Sequence, residues 1–555
     1  MESNERREAL RQAWRSTNGQ GFERSRAKLR ADGGATDVLL DTLIVASNRQ
    51  PYRHQWADDT MSESKFESLK EGNPSALSIS VDEPTGGLTA GLDPVMRATG
   101  GTWIAWGDGN ADRVVTDEDD CVAVPPDADD QYTLRRLWLS DEAVDGYYAG
   151  LSNRVLWPLC HDRPDLVSFR PTDLAWYRRV NRQFAAAIRT HATPNAGIWI
   201  QDYHLGLVPS YLVDELPPGT TLGVFWHIPW PTPDVYESCP FGRELLVGLL
   251  GADVLGFHLE SYATRFLECV DRFVPSAQID RSERAIRHDG TATKLVASPM
   301  GVDTANYERR ARAGNRARWE SLCERYGIDP TCHIGIGVDR LDYTKGIPER
   351  LEALEQFFEN HPDWRGSFTF VQKATPSRTG IPAYDRLGDR VRRRVERLQA
   401  RFGTDTWQPV VYTEDILPVE DLVALYRRAD LAIVSSLCDG MNLVAQEFVA
   451  SSVDDDGVLV LGTDVGAAEV LGPHALLVDP TDTPQFADRI HDALTMSTSE
   501  VRSRMRAMRQ VVTAHRLEAW MGEQLEYLAQ NPLQSGRRPK NHSSDRWHIP
   551  DNIDQ

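Results

Sequence analysis

Short apolar runs alternate with helix-periodic segments along this 555-residue chain, and they do so in two successive series. The first series places strands at 41–48 (DTLIVASN), 102–107 (TWIAWG), 197–202 (GIWIQD), 221–227 (TLGVFWH), 253–258 (DVLGFH) and 294–299 (KLVASP). The second places them at 333–339 (HIGIGVD), 367–373 (SFTFVQK), 409–413 (PVVYT), 431–436 (LAIVSS), 458–462 (VLVLG) and 475–479 (ALLVD). The segments between read as helices. Residues 347–361 align Leu351, Leu354, Phe357 and Phe358 on one face. Residues 418–429 open with Pro and two acids, a helix-start signature. Strand, helix, strand in repetition predicts parallel sheets covered on both faces. Two series predict two doubly wound α/β domains facing across a cleft, with ligands at the carboxyl ends of the strands.

The domains expected are 38–304 and 305–533, the last helix being free to cross back to the first. Residues 1–37 read as a polar, Arg-rich extension, 534–555 as a disordered tail, and 53–85 as a long polar loop. A net charge of −21 argues against a nucleic-acid partner. No apolar run reaches bilayer length and the N-terminus has no signal-peptide core, so no membrane association and a cytoplasmic location are expected. The seven cysteines are scattered without a CxxC pair, which reads as reduced thiols and no zinc. Only seven of the 61 basic residues are lysines. A salt-rich cytoplasm and an arginine-rich codon bias explain that equally well. Either way, a lysine kept at a motif position, such as Lys345, is a less neutral choice.

The chemistry concentrates after the strands. In GVDRLDYTKG (337–346), Arg340 and Lys345 stand on the loop entering the next helix. Two cations and a helix N-terminus make a diphosphate cradle; pairing of these cations with Asp339 and Asp342 is the bland alternative. DGMNLVAQE (439–447) has the same layout: Asp439 ends a strand, Gly440 allows a tight turn, and Met441, Asn442, Leu443 and Val444 start a helix. Glu447 lies about two turns in, where a carboxylate can accept from ribose hydroxyls; an N-cap and a surface glutamate are the alternative. His227 in FWHIPWP and Asp202 in QDYHL follow strands, and each alone reads equally as a structural residue. Arg49 and Arg378 have the planar fork that suits phosphate. Gly86 and Gly87 let backbone approach a ligand. Trp106, Trp157 and Tyr148 offer flat faces to a sugar ring, whereas Trp103 reads as core.

Together these segments resemble the trehalose-6-phosphate synthase family, retaining glucosyltransferases of glycosyltransferase family 20, from about residue 41 to 530. The resemblance rests on LIVASNR, PTGGLTAGL, GGTWIAWG, NRVLWPLCH, YRRVNRQFA, QDYHLGLVPSYL, HIPWPTPDVY, GLLGADVLGFH, GVDRLDYTKGIPERL, PSRTGIPAYDRL, SLCDGMNLVAQEFVA and GVLVLGTDVGAAEVLG. It implies the GT-B fold, a donor such as UDP-glucose, and glucose 6-phosphate as acceptor, giving α,α-trehalose 6-phosphate with retention. By the same resemblance, Arg340 and Lys345 match diphosphate ligands, Glu447 a ribose ligand, and Asp439 and His227 contacts to the donor sugar. The backbone of 440–444 would cradle phosphate, and Gly87 would belong to a loop closing over the donor. Arg49, Tyr148, Trp157, Asp202 and Arg378, with Trp106, match the acceptor side. The leaving diphosphate, stabilised by Arg340, Lys345 and the helix start, would serve as base for the incoming hydroxyl. No metal and no cofactor are expected, since two cations neutralise the diphosphate.

The chain departs from the family pattern at Gln201 (commonly His), Cys438 (commonly Arg) and Asp162 (commonly Tyr). A related branch uses glycerol 3-phosphate, which makes a glucosylglycerol-phosphate synthase the rival enzyme and a non-catalytic sugar-phosphate-binding regulator the rival class. A homo-oligomer stays open, and a separate trehalose-phosphate phosphatase is expected downstream, with osmoprotection as the physiological setting.

Overall fold

The computed structural model describes residues 40–57, 79–82, 87–126, 128–314 and 316–530. The expected N-terminal extension and C-terminal tail lie outside them. The first half holds β1 (Thr42–Arg49), β2 (Arg53–Trp56), β3 (Ile79–Asp82), β4 (Thr102–Trp106), β5 (Cys121–Val124), β6 (Tyr132–Leu137), β7 (Ala196–Gln201), β8 (Thr221–Trp226), β9 (Val254–Phe257), β10 (Gln278–Asp280), β11 (Ala285–His288) and β12 (Thr291–Ala297). The second holds β13 (His333–Arg340), β14 (Phe368–Thr375), β15 (Val410–Thr413), β16 (Leu431–Val434), β17 (Val458–Gly462) and β18 (Leu476–Val478). Every strand expected from the apolar runs is present. β5, β6, β10 and β11, which the runs do not signal, sit toward the sheet edges; β6, β10 and β11 carry polar residues, and β5 is apolar but only four residues long.

The first sheet is ordered β10-β11-β12-β9-β8-β7-β1-β4-β6-β5. From β12 to β6 its neighbours run parallel. The second sheet is parallel throughout, ordered β15-β14-β13-β16-β17-β18. Both sheets wind outward in one direction from their first strand, then return and wind the other way. The reversal falls between β1 and β7 in one sheet and between β13 and β16 in the other. A doubly wound sheet opens a crevice at that reversal, outside the carboxyl ends of the strands. Arg49 and Gln201 end β1 and β7, and Arg340 ends β13, so the polar residues after these strands face the crevices.

Helices cover both faces. Those used below are α1 (Gly87–Thr99), α2 (Pro171–His191), α3 (Ile347–Asn360), α4 (Leu443–Ser451) and α5 (Leu517–Gln530). α5 ends the second half in sequence, yet Leu517, Trp520, Met521, Leu525 and Leu528 are buried in the core of the first half, with Val45, Trp199 and Phe225. Each such apolar side chain contributes about 1.5–3 kcal/mol. The Trp520 ring meets Trp199 at 5.4 Å and Phe225 edge-on at 5.0 Å. Where the chain crosses between halves, a side chain on Gly301 would lie 1.6 Å from the His515 carbonyl oxygen. The two crossings therefore run in direct contact.

The segment 53–85 is not a plain loop. Its ends, β2 and β3, pair as an antiparallel ribbon; residues 58–78 and 83–86 lie outside the described residues. Polar residues can form this ribbon because they are paired inward. The His54 amide donates to Asp112 at 2.8 Å, and buried Arg136 meets Asp112 at 3.0 Å and donates to Gln50 at 2.9 Å. No helix among the described residues is long and apolar enough to cross a membrane.

Candidate active site

The second-half crevice is organised by ion pairs. Arg340 closes β13; Asp342 caps the turn Tyr343–Lys345 by accepting from the Thr344 amide; and Gly346 then starts α3. Gly346 has φ 62°, and a side chain there would strike the Ser435 carbonyl oxygen at 2.1 Å, so only glycine fits. The bland pairing does not occur. Asp339 pairs with Arg350 at 2.7 Å and Asp342 with Arg378 at 2.6 Å. Lys345 pairs instead with Asp439, 94 residues on. Burial opposes ionisation of Asp439, but Lys345, His161 and the Asn442 amide outweigh it and hold the carboxyl well below its usual range. Arg340 makes no ion pair among the described residues; its guanidinium lies 5.4 Å from the Trp157 ring.

DGMNL is built differently from the expectation. Strand β16 stops at Val434, and Asp439 joins Val465 through an isolated bridge. The left-handed residue is Asn442 (φ 58°), whose side chain caps α4 at Ala445, so the helix starts at Leu443 rather than at 441. Gly440 is required for proximity: a side chain there would lie 2.2 Å from the His227 carbonyl oxygen. At this seam the Tyr262 hydroxyl also donates to the Asp439 carbonyl at 3.0 Å. Met441 is buried, Leu443 and Val444 half-buried, and the Gly440 amide and the Asn442 side chain donate to the Asp439 carboxylate at 3.0 and 2.8 Å. Glu447 stands one turn further in. Burial raises its pKa against the opposing Tyr426 and Tyr307 hydroxyls and Lys373.

The first-half crevice is an aromatic cage with few internal pairings. Residues 144–156 form a π-helical segment, an unusual geometry that delivers Tyr148 from within it and Trp157 just after it. Arg49, opposite Trp106 in the β1–β4 register, donates to the Tyr148 hydroxyl at 3.4 Å. Tyr148 stacks on His204 at 5.7 Å and lies 6.2 Å from Trp106. Burial would raise the Tyr148 phenol, but Arg49, Arg378 and Arg340 more than offset it and the pKa falls. Arg378 sits 3.7 Å over the Trp157 ring and also donates to Tyr384 and Tyr203. Asp202 and Arg378 both hold positive φ, 68° and 50°, without being glycine. Such backbone strain persists only where surroundings enforce it. Asp202 accepts from the Tyr203 and His227 amides, yet burial dominates and lifts its pKa to about 6.

Buried polar atoms without partners among the described residues gather here: Asn48 Nδ2 and Oδ1, Trp157 Nε1, His161 Nε2, both ring nitrogens of His204, Gln201 Nε2 and Arg378 Nε. Leaving such atoms unpaired costs about 1–3 kcal/mol each, so their concentration marks a ligand surface. The structure thus brings Arg49, Trp106, Tyr148, Trp157, Asp202 and Arg378 together, with Arg340 reaching in. His227 sits at the seam, but both ring nitrogens already bond protein, to Gln201 and His258. Gly87 is the first residue of α1, and Gly86 lies outside the described residues. His161, His258, Arg350 and Lys373 were not offered as site residues from sequence. Among the described residues, no group of three or more His, Cys, Asp or Glu side chains is placed to hold a metal ion.

Residues 51–530 match glycosyltransferase family 20. A trehalose-6-phosphate synthase of Mycobacterium avium is 37% identical over 464 residues, covering 81% of this chain and 91% of that one. The E. coli enzyme solved with UDP-2-fluoro glucose superposes with a TM-score of 0.75 at 29% identity, over 88% of this chain and 99% of that one. A Burkholderia xenovorans α,α-trehalose-phosphate synthase (UDP-forming), solved with glucose-6-phosphate, gives 0.74 at 28% identity over 88% and 99%.

Proposed function

The chain belongs to glycosyltransferase family 20, and on that premise we propose that it transfers glucose from a nucleoside diphosphate donor to glucose 6-phosphate, retaining the anomeric configuration and giving α,α-trehalose 6-phosphate. The observation that carries the acceptor half is the cage in which Arg49 donates to Tyr148 while Arg378 and Arg340 lie 3.7 and 5.4 Å from the Trp157 ring. That concentration of positive charge beside aromatic faces suits a phosphorylated sugar. The donor half rests on Arg340, Lys345 and the N-termini of α3 and α4, which converge on the seam where a diphosphate would lie.

In this reading the reaction is driven by charge. As the glycosidic bond to the diphosphate lengthens, negative charge grows on the leaving oxygen and positive charge on the sugar. Arg340, unpaired, turns to the diphosphate. Lys345 has three N–H donors and spans Asp439 and a phosphate oxygen. Asp439 stays ionised next to the donor glucose and stabilises its cationic character. The acceptor hydroxyl approaches from the cage on the same face, and the departing phosphate takes its proton. Glu447 accepts from the ribose.

The deciding experiment is a donor-by-acceptor matrix: UDP-, ADP- and GDP-glucose against glucose 6-phosphate and glycerol 3-phosphate, at low and high salt. Trehalose 6-phosphate from glucose 6-phosphate is expected. Turnover only with glycerol 3-phosphate, or donor binding with no nucleoside diphosphate released, sinks the reading. A cytoplasmic location, self-association, and a separate phosphatase consuming the product belong to the same proposal.

A further inference from the structure

A line of hydrogen bonds crosses the ends of three adjacent strands: β9, β8 and β7. It begins at the Met300 backbone amide, which can only donate and lies 3.4 Å from His258 Nδ1. His258 Nε2 is 3.3 Å from His227 Nδ1, and His227 Nε2 is 2.9 Å from Gln201 Oε1. Burial holds both imidazoles low, His258 at about 4 and His227 well below its ordinary value. A neutral imidazole has one donor and one acceptor nitrogen. With His258 Nδ1 accepting, His258 Nε2–H donates to His227 Nδ1, and His227 Nε2–H donates to the Gln201 amide oxygen. Gln201 is fully buried, and its Nε2 has no partner among the described residues.

Burial dominates at His258; the Ser298 carbonyl and Asp439, the charged group felt there, work against it without overcoming it. Asp202 accepts the backbone amides of Tyr203 and His227, not the His227 ring. Asp439 is held by Lys345, Ser436 and Asn442. From α5, Glu523 bonds Ser298 and Trp520 presents a neutral ring 6.1 Å from His227.

We propose that Gln201 is a positioning residue for His227, its amide oxygen fixing the imidazole as the neutral Nε2–H tautomer at the seam where Gly440 meets the His227 carbonyl. This rests on the reading of that seam as the transfer site. An imidazolium there would stand beside a sugar acquiring positive charge and would oppose the reaction. A carboxylate at 201 would pull a proton onto the ring, whereas an uncharged amide orients the ring without doing so.

Histidine side-chain ¹⁵N NMR on the full chain, with the signal assigned through His227→Asn, tests this without substrate. In the wild type, His227 is expected to stay neutral and Nε2–H between about pH 5 and 8. In Gln201→Glu, a near-isostere, it is expected to titrate within that window, and kcat to fall about tenfold or more toward acid beyond the wild-type change. In Gln201→Leu, Nδ1–H signal appears and kcat drops while KM for the donor holds. A wild-type His227 that is Nδ1–H or titrates in that window overturns the proposal, as does a Gln201→Glu variant with wild-type titration and pH profile. If Gln201→Leu fails to fold, Gln201→Glu decides alone. Absence of glucosyl transfer in the wild type would instead strike the functional reading, leaving the tautomer result intact.

Discussion

In the C-terminal crevice the key carboxylates already have cations: Asp339 holds Arg350, Asp342 holds Arg378, and Asp439 holds Lys345. Across the cleft, the N-terminal crevice leaves the Asn48 amide, both His204 ring nitrogens and the Trp157 indole N–H buried without partners among the described residues. One wall is fixed before any ligand arrives; the other is completed by its ligand. The difference fits the chemistry proposed for each wall. A leaving group needs donors held in place as charge develops, whereas a polyhydroxylated acceptor must find hydrogen-bond partners not already taken.

Substitutions that separate pairing from activity probe this contrast most sharply. Lys345→Ala and Arg340→Ala are each expected to lower kcat by about 10²–10³-fold. Only Lys345→Ala strands a buried carboxylate, so it alone is expected to cost about 3–5 kcal/mol in denaturant unfolding. Equal stability losses would erase the distinction between the paired cation and the free one. Gly440→Ala forces backbone against the His227 carbonyl and is expected to cost about 1–3 kcal/mol and to depress kcat. Wild-type melting and turnover in that variant would mean the walls do not meet there.

The acceptor wall has its own signature in pH. Asp202 has its pKa raised to about 6 by burial, so the folded protein binds a proton more tightly than the unfolded chain. Stability is therefore expected to fall as pH rises through the interval between its ordinary value and about 6, then to level off. Asp202→Asn removes that slope, which amounts to about 3 kcal/mol over the interval. If the ionised carboxylate accepts from the acceptor sugar, kcat/KM for the sugar phosphate rises through the same region in the wild type and not in Asp202→Asn. Smallest is Trp157→Phe, which weakens the Arg378 stacking by about 0.5–1 kcal/mol. It is expected to raise KM for the sugar phosphate a few-fold with donor KM unchanged.

The same contrast governs what could be read from sequence. The doubly wound strands are legible because each is a compact apolar run. The proposed donor wall is legible because Arg340 and Lys345, or Asp439 and Glu447, sit within one short stretch of sequence. Their partners are not: Lys345 finds Asp439 across 94 residues and Asp342 finds Arg378 across 36. Gly440 illustrates a right residue with the wrong reason, since the turn belongs to Asn442 and the glycine to the neighbouring His227. β2 and β3 escaped because Arg53, His54 and Gln55 are polar; they form a ribbon only once Asp108 and Asp112 are folded beneath them. The acceptor wall draws on residues 49 to 378, so physical chemistry alone offered separate aromatics and arginines, and the family resemblance assembled them.

The return of α5 to the first half has a mechanical consequence. Two strands of chain, near Gly301 and His515, join the halves side by side in contact. They act as a two-ply hinge: any rotation of one half against the other must bend both plies at one place. Nor can the molecule be divided by a single cut near 304, because that would strip Trp520 and its neighbours from the core they complete and leave the first half with an open apolar trough.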